Sequence, residues 1–304
     1  GRPMDCDQLK EIQVCSHRGN LAKDDLKAKL LTTAGLTKVF DHGFPCADLD
    51  LTRYDSVSDK HLVVAHPTDL AKLKGNVSHE AMTFPQLLAS LKNHRHRLIA
   101  LELKTHPVTT EQLKSLLEDL RNAALPWQST AVWYLPQDIS LFSQLHRNQY
   151  PEILGIMAMF DRPWRGAPAA SNESLDLAAT AGIQVLGASI HVSSQLLREG
   201  RQRGFQILTF GVNSKDDLIK AVESGVHFAF SDDPLLVRER LMLLRSTRCE
   251  NGAFHVGMPV GQVLATLALA AGLCIGRFSW RKIRVLLILA PLSLSIYLYL
   301  CGAE

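Results

Sequence analysis

The sequence predicts a closed (β/α)8 barrel of the TIM type, followed by a two-helix transmembrane hairpin. Three observations carry that expectation. Short β-rich runs alternate with longer helical patterns over roughly the first 240 residues, the rhythm of a parallel sheet wrapped in helices. Histidines, acids and basic residues recur where the strand runs end, the rim on which such barrels carry their chemistry. Near the end of the chain, two long stretches lose every charge.

Taken in order, the predicted strands cover residues 12–16, 46–51, 61–66, 98–103, 130–135, 153–159, 183–188, 205–212 and 227–231. Predicted helices cover 23–31, 85–92, 111–123, 139–147, 174–180, 193–203, 216–224 and 234–243. Thr83 ahead of Phe84-Pro85, and Ser214 ahead of Lys215-Asp216-Asp217, have the chemistry of N-caps with early proline or carboxylate support. Nine strands are one too many for an eightfold barrel. The gap between Leu51 and His61 is too short for a parallel crossover, which needs about a dozen residues or more. The second and third runs are therefore expected to form an antiparallel excursion, leaving eight parallel strands. A doubly wound open sheet is the alternative, but no Gly-rich phosphate loop follows the first strand.

Residues 1–245 form the expected barrel and 246–257 a linker. Residues 258–276 and 285–303 carry no charge. At about 1.5 Å per residue each is long enough to cross a hydrocarbon core of roughly 30 Å as a helix. The loop between them, 277–284, holds four cations and Trp280. A basic loop favours the cytosolic side, which would place the barrel in a lumen or outside the cell. Two acceptor sequons, Asn76-Val77-Ser78 and Asn172-Glu173-Ser174, agree with that placement. The chain opens at Gly1 without a signal-peptide core, so either a leader has been removed or the chain is a fragment. Part of the formal charge of +3 comes from the loop, so the barrel has no strong basic field and nucleic acid is not an expected partner. Cys6, Cys15, Cys46 and Cys249 match no zinc spacing; Cys15 and Cys46 are expected to serve as small buried hydrophobes in strands.

The strand ends converge. The first run ends in His17-Arg18-Gly19, the second carries Asp48-Leu49-Asp50, the third ends in His66-Pro67, and the fourth holds Glu102-Leu103-Lys104. Residues two apart in a strand share a face. Asp48, Asp50 and Glu102 supply oxygen ligands for a hard divalent cation, Mg²⁺ or Ca²⁺. His17 and His66 titrate near neutrality and suit general acid and base catalysis. Arg18 and Lys104 donate to phosphate oxygens. Read without function, the histidines are capping or core residues, the two aspartates cap the hairpin, and Glu102 and Lys104 form an interior ion pair. Asn213 is as readily a loop cap as a ligand contact. The aromatics Trp133, Tyr134, Phe160 and Trp164 are either walls of a substrate site or core.

The order His17-Arg18-Gly19, Asp48-Leu49-Asp50-Leu51-Thr52, His66 and Glu102-Leu103-Lys104 resembles the signature of glycerophosphodiester phosphodiesterases. Thr83-Phe84-Pro85-Gln86-Leu87-Leu88 is similar to that family's first helix after the excursion. Residues 207–213, Gly225-Val226 and Ser231-Asp232-Asp233-Pro234 are similar to its closing strands. The resemblance runs from about Val14 to Leu241. It implies metal-dependent hydrolysis of glycerophosphodiesters or lysophospholipids to glycerol phosphate, or a lysophosphatidate-type product, and an alcohol. His17 and His66 would be catalytic, Arg18 and Lys104 phosphate-binding, and Asp48, Asp50 and Glu102 metal-binding. The sequence departs from the family at four points: the acidic-Asn-Thr turn expected after the first histidine does not follow Asn20, and three single positions differ. Asp48 stands where a glutamate is usual, Pro67 follows His66 where an aspartate is usual, and Phe210 lies near a tryptophan position. Two other outcomes are compatible: a phospholipase D or sphingomyelinase D-like lyase giving a cyclic phosphate, and an inactive barrel that binds a lipid head group or a protein.

Overall fold

A computed structural model describes residues 6–21, 31–55, 60–71, 81–92, 94, 97–104, 108–123 and 130–250. Its compact unit ends at Arg245. The expected helix over 23–31, save Leu31, and both expected membrane spans lie outside the described residues. Among the described residues, no helix is long and apolar enough to cross a membrane.

The strands are β1 (Gln13–Ser16), β2 (Cys46–Asp55), β3 (Lys60–Val64), β4 (Leu98–Leu103), β5 (Thr130–Tyr134), β6 (Leu154–Met159), β7 (Val185–Ser189), β8 (Gln206–Phe210) and β9 (Phe228–Ser231). Their order is β1-β9-β8-β7-β6-β5-β4-β2-β3, and an additional β1–β2 pairing closes the sheet. All pairs around the ring are parallel. Only β3 runs antiparallel, against the outer half of β2 from Leu51↔Val64 to Asp55↔Lys60. The predicted barrel and its excursion are both present, though β2 runs on to Asp55 because the hairpin supplies it with a partner beyond the ring.

Period-two alternation explains how the ring fills itself. Cys15, Cys46, Ala100, Ala131, Ile156, Val185, Leu208 and Phe230, one from each parallel strand, form a single buried cluster. Mixed sizes suit it, since alanines from β4 and β5 leave space that Ile156 and Phe230 occupy. Outside the ring the helices cover the sheet through apolar stripes. In the helix Thr110–Asn122, Leu113, Leu116, Leu117 and Leu120 are buried, the three-and-four spacing of one helix face. Thr109 caps that helix in a reciprocal box with Gln112, as Thr83 does with Gln86 and Ser214 with Asp217.

Two features depart from expectation. Cys15 and Cys46 are not separate buried thiols but a disulfide joining β1 to β2, with their Cα atoms 4.9 Å apart. Each strand taken alone shows only a small buried residue; the pairing arises because the ring brings the first strand beside the second. A helix at Thr33–Asp41, capped by Thr32, was also not expected, because Thr33, Gly35, Thr37 and Val39 are weak helix formers. Burial of Leu36, Val39 and Phe40 outweighs that local preference.

Candidate active site

Two residues beyond the buried cluster, on the same face of each strand, lie His17, Asp48, Glu102, Trp133, Ala158, Gly187, Phe210 and Asp232. Apolar filling thus gives way to chemistry in one step along the barrel axis. Above this layer opens a cavity of about 260 Å³. His17, Arg18, Asp48, His66, Glu102 and Lys104 line it on one side, and Trp133, Tyr134, Phe160, Trp164 and Phe210 on the other. Asp50, the remaining predicted site residue, is 6 % exposed and pairs with Arg18 and Lys104 of that lining. All seven predicted residues therefore meet at one rim.

His17 is held by a carboxylate that sequence reading gave no role. Its Nδ1 lies 2.5 Å from Asp232 Oδ1, and its Nε2 is 3.8 Å from Asp48 Oδ2. Burial of the ring opposes its protonation, but the carboxylates of Asp48 and Asp232 outweigh burial and raise it to about 8. Asp232 is itself bracketed by Asn213. Asn213 Nδ2 donates to Asp232 Oδ2 at 2.9 Å, while Asn213 Oδ1 accepts from Ser231 Oγ and the Asp232 backbone N–H. The hydrogen bond from His17, then burial opposing it, leaves the Asp232 carboxyl below the usual range. The strand period was the signal for Asp232, since it stands two residues after interior Phe230.

Arg18 has φ +56°, and Gly19 follows at +69°. Left-handed backbone at a non-glycine residue is costly. Here it accompanies a turn in which the Arg18 N–H donates to Asp48 Oδ1 at 2.8 Å. A Cβ at Gly19 would fall 2.8 Å from the Leu31 methyls, so a side chain there would have to displace Leu31 in addition to adopting the left-handed backbone.

His66 comes from the excursion. Thr52 Oγ1 donates to the Ala65 carbonyl at 2.5 Å, tying β2 to the turn that carries it. The ring also caps the short helix Pro67–Leu70, so the capping reading of this histidine holds alongside its place in the cavity. Its Nδ1 lies 2.7 Å from the Thr68 hydroxyl and 3.3 Å from the Thr68 N–H. Burial, followed by the Arg18 charge, lowers its pKa, so the ring is neutral at pH 7.

The three predicted metal ligands are engaged by the chain's own cations. Lys104 Nζ sits 2.6 Å from Glu102 Oε2 and 2.9 Å from Asp50 Oδ1. Burial of the ammonium disfavours its charge, but Glu102 and Asp50 more than compensate and raise its pKa. The expected interior ion pair is thus present, with Asp50 as a second partner. Among the described residues, no three His, Cys, Asp or Glu side chains close on a common centre that could hold a metal. The donor chemistry nevertheless suits a hard cation. Asp50 Oδ2 lies 3.1 Å from Arg18 Nε, yet neither atom has an aligned hydrogen bond although both are buried. Burial, with repulsion from Asp50, raises the carboxyls of Asp48 and Glu102. Four carboxylates, at Asp48, Asp50, Glu102 and Asp232, face Arg18, Lys104 and a protonated His17. The surplus is negative even before a phosphodiester arrives, so the cluster can accept a divalent cation if Lys104 yields one of its carboxylates.

The aromatic side is a chain of ring contacts, edge to face at Trp133–Phe210 and Phe210–Phe160 and tilted at Phe160–Trp164. Trp133 meets Phe210 at 6.0 Å, Phe210 meets Phe160 at 5.9 Å, and Phe160 meets Trp164 at 4.6 Å. Gly187 makes room for Trp133, since a Cβ there would fall 2.0 Å from the indole. Tyr134 is fixed from behind by His146, which is fully buried. Tyr134 Oη lies 2.6 Å from His146 Nδ1, and His146 Nε2 lies 2.7 Å from the Ile153 carbonyl.

No known family model matches the sequence, and no curated protein is similar to it. Solved structures do share its fold. A putative glycerophosphoryl diester phosphodiesterase from Silicibacter pomeroyi is 17 % identical with a TM-score of 0.61, over 78 % of this chain and 98 % of that one. A glycerophosphodiester phosphodiesterase from Parabacteroides distasonis is 16 % identical with a TM-score of 0.60, over 77 % and 98 %. A phosphodiesterase from Oleispira antarctica, in complex with the product sn-glycerol-3-phosphate, is 17 % identical with a TM-score of 0.56, over 77 % and 98 %. At these identities the likeness establishes the closed eight-stranded parallel barrel and no more.

Proposed function

We propose that the chain is a divergent glycerophosphodiester phosphodiesterase, hydrolysing a glycerophosphodiester or lysophospholipid to glycerol phosphate or its lysophosphatidate-type counterpart and an alcohol. The observation that carries this reading is the polar layer itself: two histidines, two cationic donors and four carboxylates at one rim, directly above an apolar barrel core.

His17 serves as the general acid. Asp232 accepts from its Nδ1–H, so the proton exchanged with substrate is the one on Nε2. Held at about 8, the ring is largely protonated at neutral pH and can neutralise the leaving alkoxide. His66 is neutral and serves as the base toward water. The helix-capping tautomer, in which Nδ1 accepts from the Thr68 N–H at 3.3 Å, carries its hydrogen on Nε2. The base role therefore needs the ring to give up that cap and adopt the other neutral tautomer, with Nδ1–H donating to the Thr68 hydroxyl at 2.7 Å and Nε2 free. Arg18 presents a planar guanidinium to the phosphoryl oxygens, and Lys104 adds a mobile ammonium. Asp48, Asp50 and Glu102 would hold a Mg²⁺ or Ca²⁺ ion, which would neutralise charge developing on the phosphoryl group.

The interior disulfide supports the expected lumenal or extracellular location, since such bonds persist in oxidising compartments; the exposed Asn172 of one sequon is compatible with it. Association with a membrane rests on the sequence of residues 258–303 alone.

Initial rates on glycerophosphocholine, glycerophosphoinositol, lysophosphatidylcholine and sphingomyelin, with and without Mg²⁺ or Ca²⁺, test the reading. Glycerol phosphate should form, and His17→Ala should reduce turnover by about 10²–10⁴-fold. Accumulation of a cyclic phosphate would favour the lyase chemistry. No turnover of any diester, with no thermal stabilisation by divalent ions, would favour an inactive binding barrel.

A further inference from the structure

The closed sheet has one sparsely bonded seam, and the proposed catalytic groups stand on both sides of it. β1 is four residues long. Toward β9 it is in register throughout, from Gln13↔Phe228 to Ser16↔Ser231. The Gln13 N–H donates to the His227 carbonyl and the His17 N–H to the Ser231 carbonyl, each at 2.8 Å, so that ladder reaches the histidine itself. Toward β2, among the described residues, the register holds only the pair Ser16↔Ala47. β2 is in turn paired along its length, from Cys46↔Leu98 to Leu51↔Leu103 with β4 and from Leu51↔Val64 to Asp55↔Lys60 with β3. Backbone hydrogen bonding therefore binds His17 to the side of Asp232, and binds Asp48, Asp50, Glu102 and Lys104 to the other. His66 belongs to that other side as well, through the Thr52 bond to Ala65.

Above that pair the seam is crossed by polar ties. The Arg18 N–H donates to Asp48 Oδ1 at 2.8 Å, and Arg18 Nε lies 3.1 Å from Asp50 Oδ2. His17 Nε2 stands 3.8 Å from Asp48 Oδ2, beyond hydrogen-bond reach. Each of these ties ends on a carboxylate that a cation would engage. The Cys15–Cys46 disulfide crosses the same gap one layer below, two residues before His17 on β1 and two before Asp48 on β2. Neither cysteine has any exposed surface, so no water, ion or substrate competes for this tie. Resting on the phosphodiesterase reading, we propose that Cys15 and Cys46 are positioning residues, whose bond sets the distance between the acid His17 on one side of the seam and the base His66 with Lys104 on the other. Displacement at phosphorus keeps the attacking and leaving oxygens roughly in line, so acid and base must be held a fixed span apart. A shift of about 1 Å in such a geometry can cost about 10²-fold in rate. Without the bond His17 keeps Asp232, a contact that the β1–β9 ladder maintains, while its placement against Asp48 loosens.

The test compares the full chain with Cys15→Ala/Cys46→Ala and, should that variant not fold, with Cys15→Val/Cys46→Ala, which refills part of the space left by the sulfurs. Rates are read below each melting transition on glycerophosphocholine and on the p-nitrophenyl ester of glycerol phosphate. A p-nitrophenolate leaves without a proton, so its departure does not call on His17. Loss of the bond should lower kcat by about 10²-fold on glycerophosphocholine and by no more than about tenfold on the p-nitrophenyl ester. Equal losses on the two esters, as partial unfolding would give, or a kcat within about threefold of the parent on both, would overturn the positioning role. If the parent turns over neither ester, the phosphodiesterase reading fails. The seam is then judged, as it is if only the p-nitrophenyl ester reacts, by amide hydrogen exchange. Without the bond the Arg18 N–H should exchange about tenfold faster or more, with the His17 N–H within about threefold of the parent. Equal acceleration of both amides, or of neither, refutes it.

Discussion

Replacing Asp232 by asparagine isolates what its carboxylate does for His17. The Asn213 bracket fixes how the new side chain must sit. Asn213 Oδ1 already accepts from Ser231 Oγ and the Asp232 backbone N–H, so its amide cannot flip, and its Nδ2 continues to donate to position 232. The new amide must therefore turn its oxygen to Asn213 and its NH2 to His17. An NH2 group facing Nδ1 requires that nitrogen to accept, which moves the neutral ring's hydrogen to Nε2 and reverses the tautomer. Asp232 and Asp48 together raise His17 from 6.5 to about 8, and 1.5 pK units correspond to roughly 2 kcal/mol favouring the imidazolium. Most of that stabilisation should disappear in Asp232→Asn, and kcat/KM should fall by about 10²–10⁴-fold at neutral pH. Nitrogen-15 NMR of the imidazole, read above its titration range, should show the hydrogen on Nδ1 in the parent and on Nε2 in the variant. A variant with the parent's tautomer, or with a rate within about threefold, would show that Asp232 neither orients nor charges His17.

His146 is fully buried, and burial lowers its pKa from 6.5 to about 4 despite the Ile153 carbonyl. The unfolded chain therefore binds the proton more readily, so this group's contribution is complete above pH 6.5 and is lost as pH falls toward 4. Relative to His146→Leu, the parent should lose about 3 kcal/mol of its stability advantage over that window; urea denaturation at several pH values checks it, and parallel curves would refute it. Lys104→Met leaves two carboxylates without their shared ammonium and should cost about 3–5 kcal/mol. Mg²⁺ or Ca²⁺ should then raise its melting temperature more than the parent's, and equal shifts would remove Asp50 and Glu102 from any metal site. The Cys15→Ala/Cys46→Ala double variant should lose about 2–4 kcal/mol, read from denaturant midpoints; a loss below about 1 kcal/mol would mean the bond contributes little.

Where the charge sits explains why the histidines are unlike each other. His17 lies between two carboxylates that outweigh its burial and is raised, whereas His66 is lowered first by burial and then by Arg18 and Lys104, against an opposing pull from Asp50. Two groups with the same intrinsic pKa are thus pushed apart by their surroundings, the kind of separation that the proposed acid and base roles require at one pH. The division does not need an aspartate at position 67. Proline there begins the helix that His66 caps, and Asp69 lies in that helix's first turn.

The fold was legible because its two periods are local. The alternation in β2 puts Cys46, Asp48 and Asp50 on one face, and the short gap before β3 leaves an antiparallel hairpin as the natural connection. The convergence of the seven predicted residues on one rim was legible for the same reason, since each stands on or at the end of a strand that the pattern identifies. What escaped depends on closure. Asp232 becomes His17's partner, and Cys15 becomes Cys46's, only when β1 lies between β9 and β2; the two pairs are 215 and 31 residues apart, and nothing in either segment alone specifies the other. The carboxylates illustrate a different limit. Their residue types suit a cation, but the sequence does not say which cation reaches them first, and the folded chain supplies one of its own. An ammonium on a flexible stem, within 3 Å of both Asp50 and Glu102, keeps two carboxylates together that would otherwise repel across adjacent strands. The same ammonium is the one proposed to contact phosphate, so the ion pair expected of a merely structural reading is observed on the side chain to which the catalytic reading gives a second role.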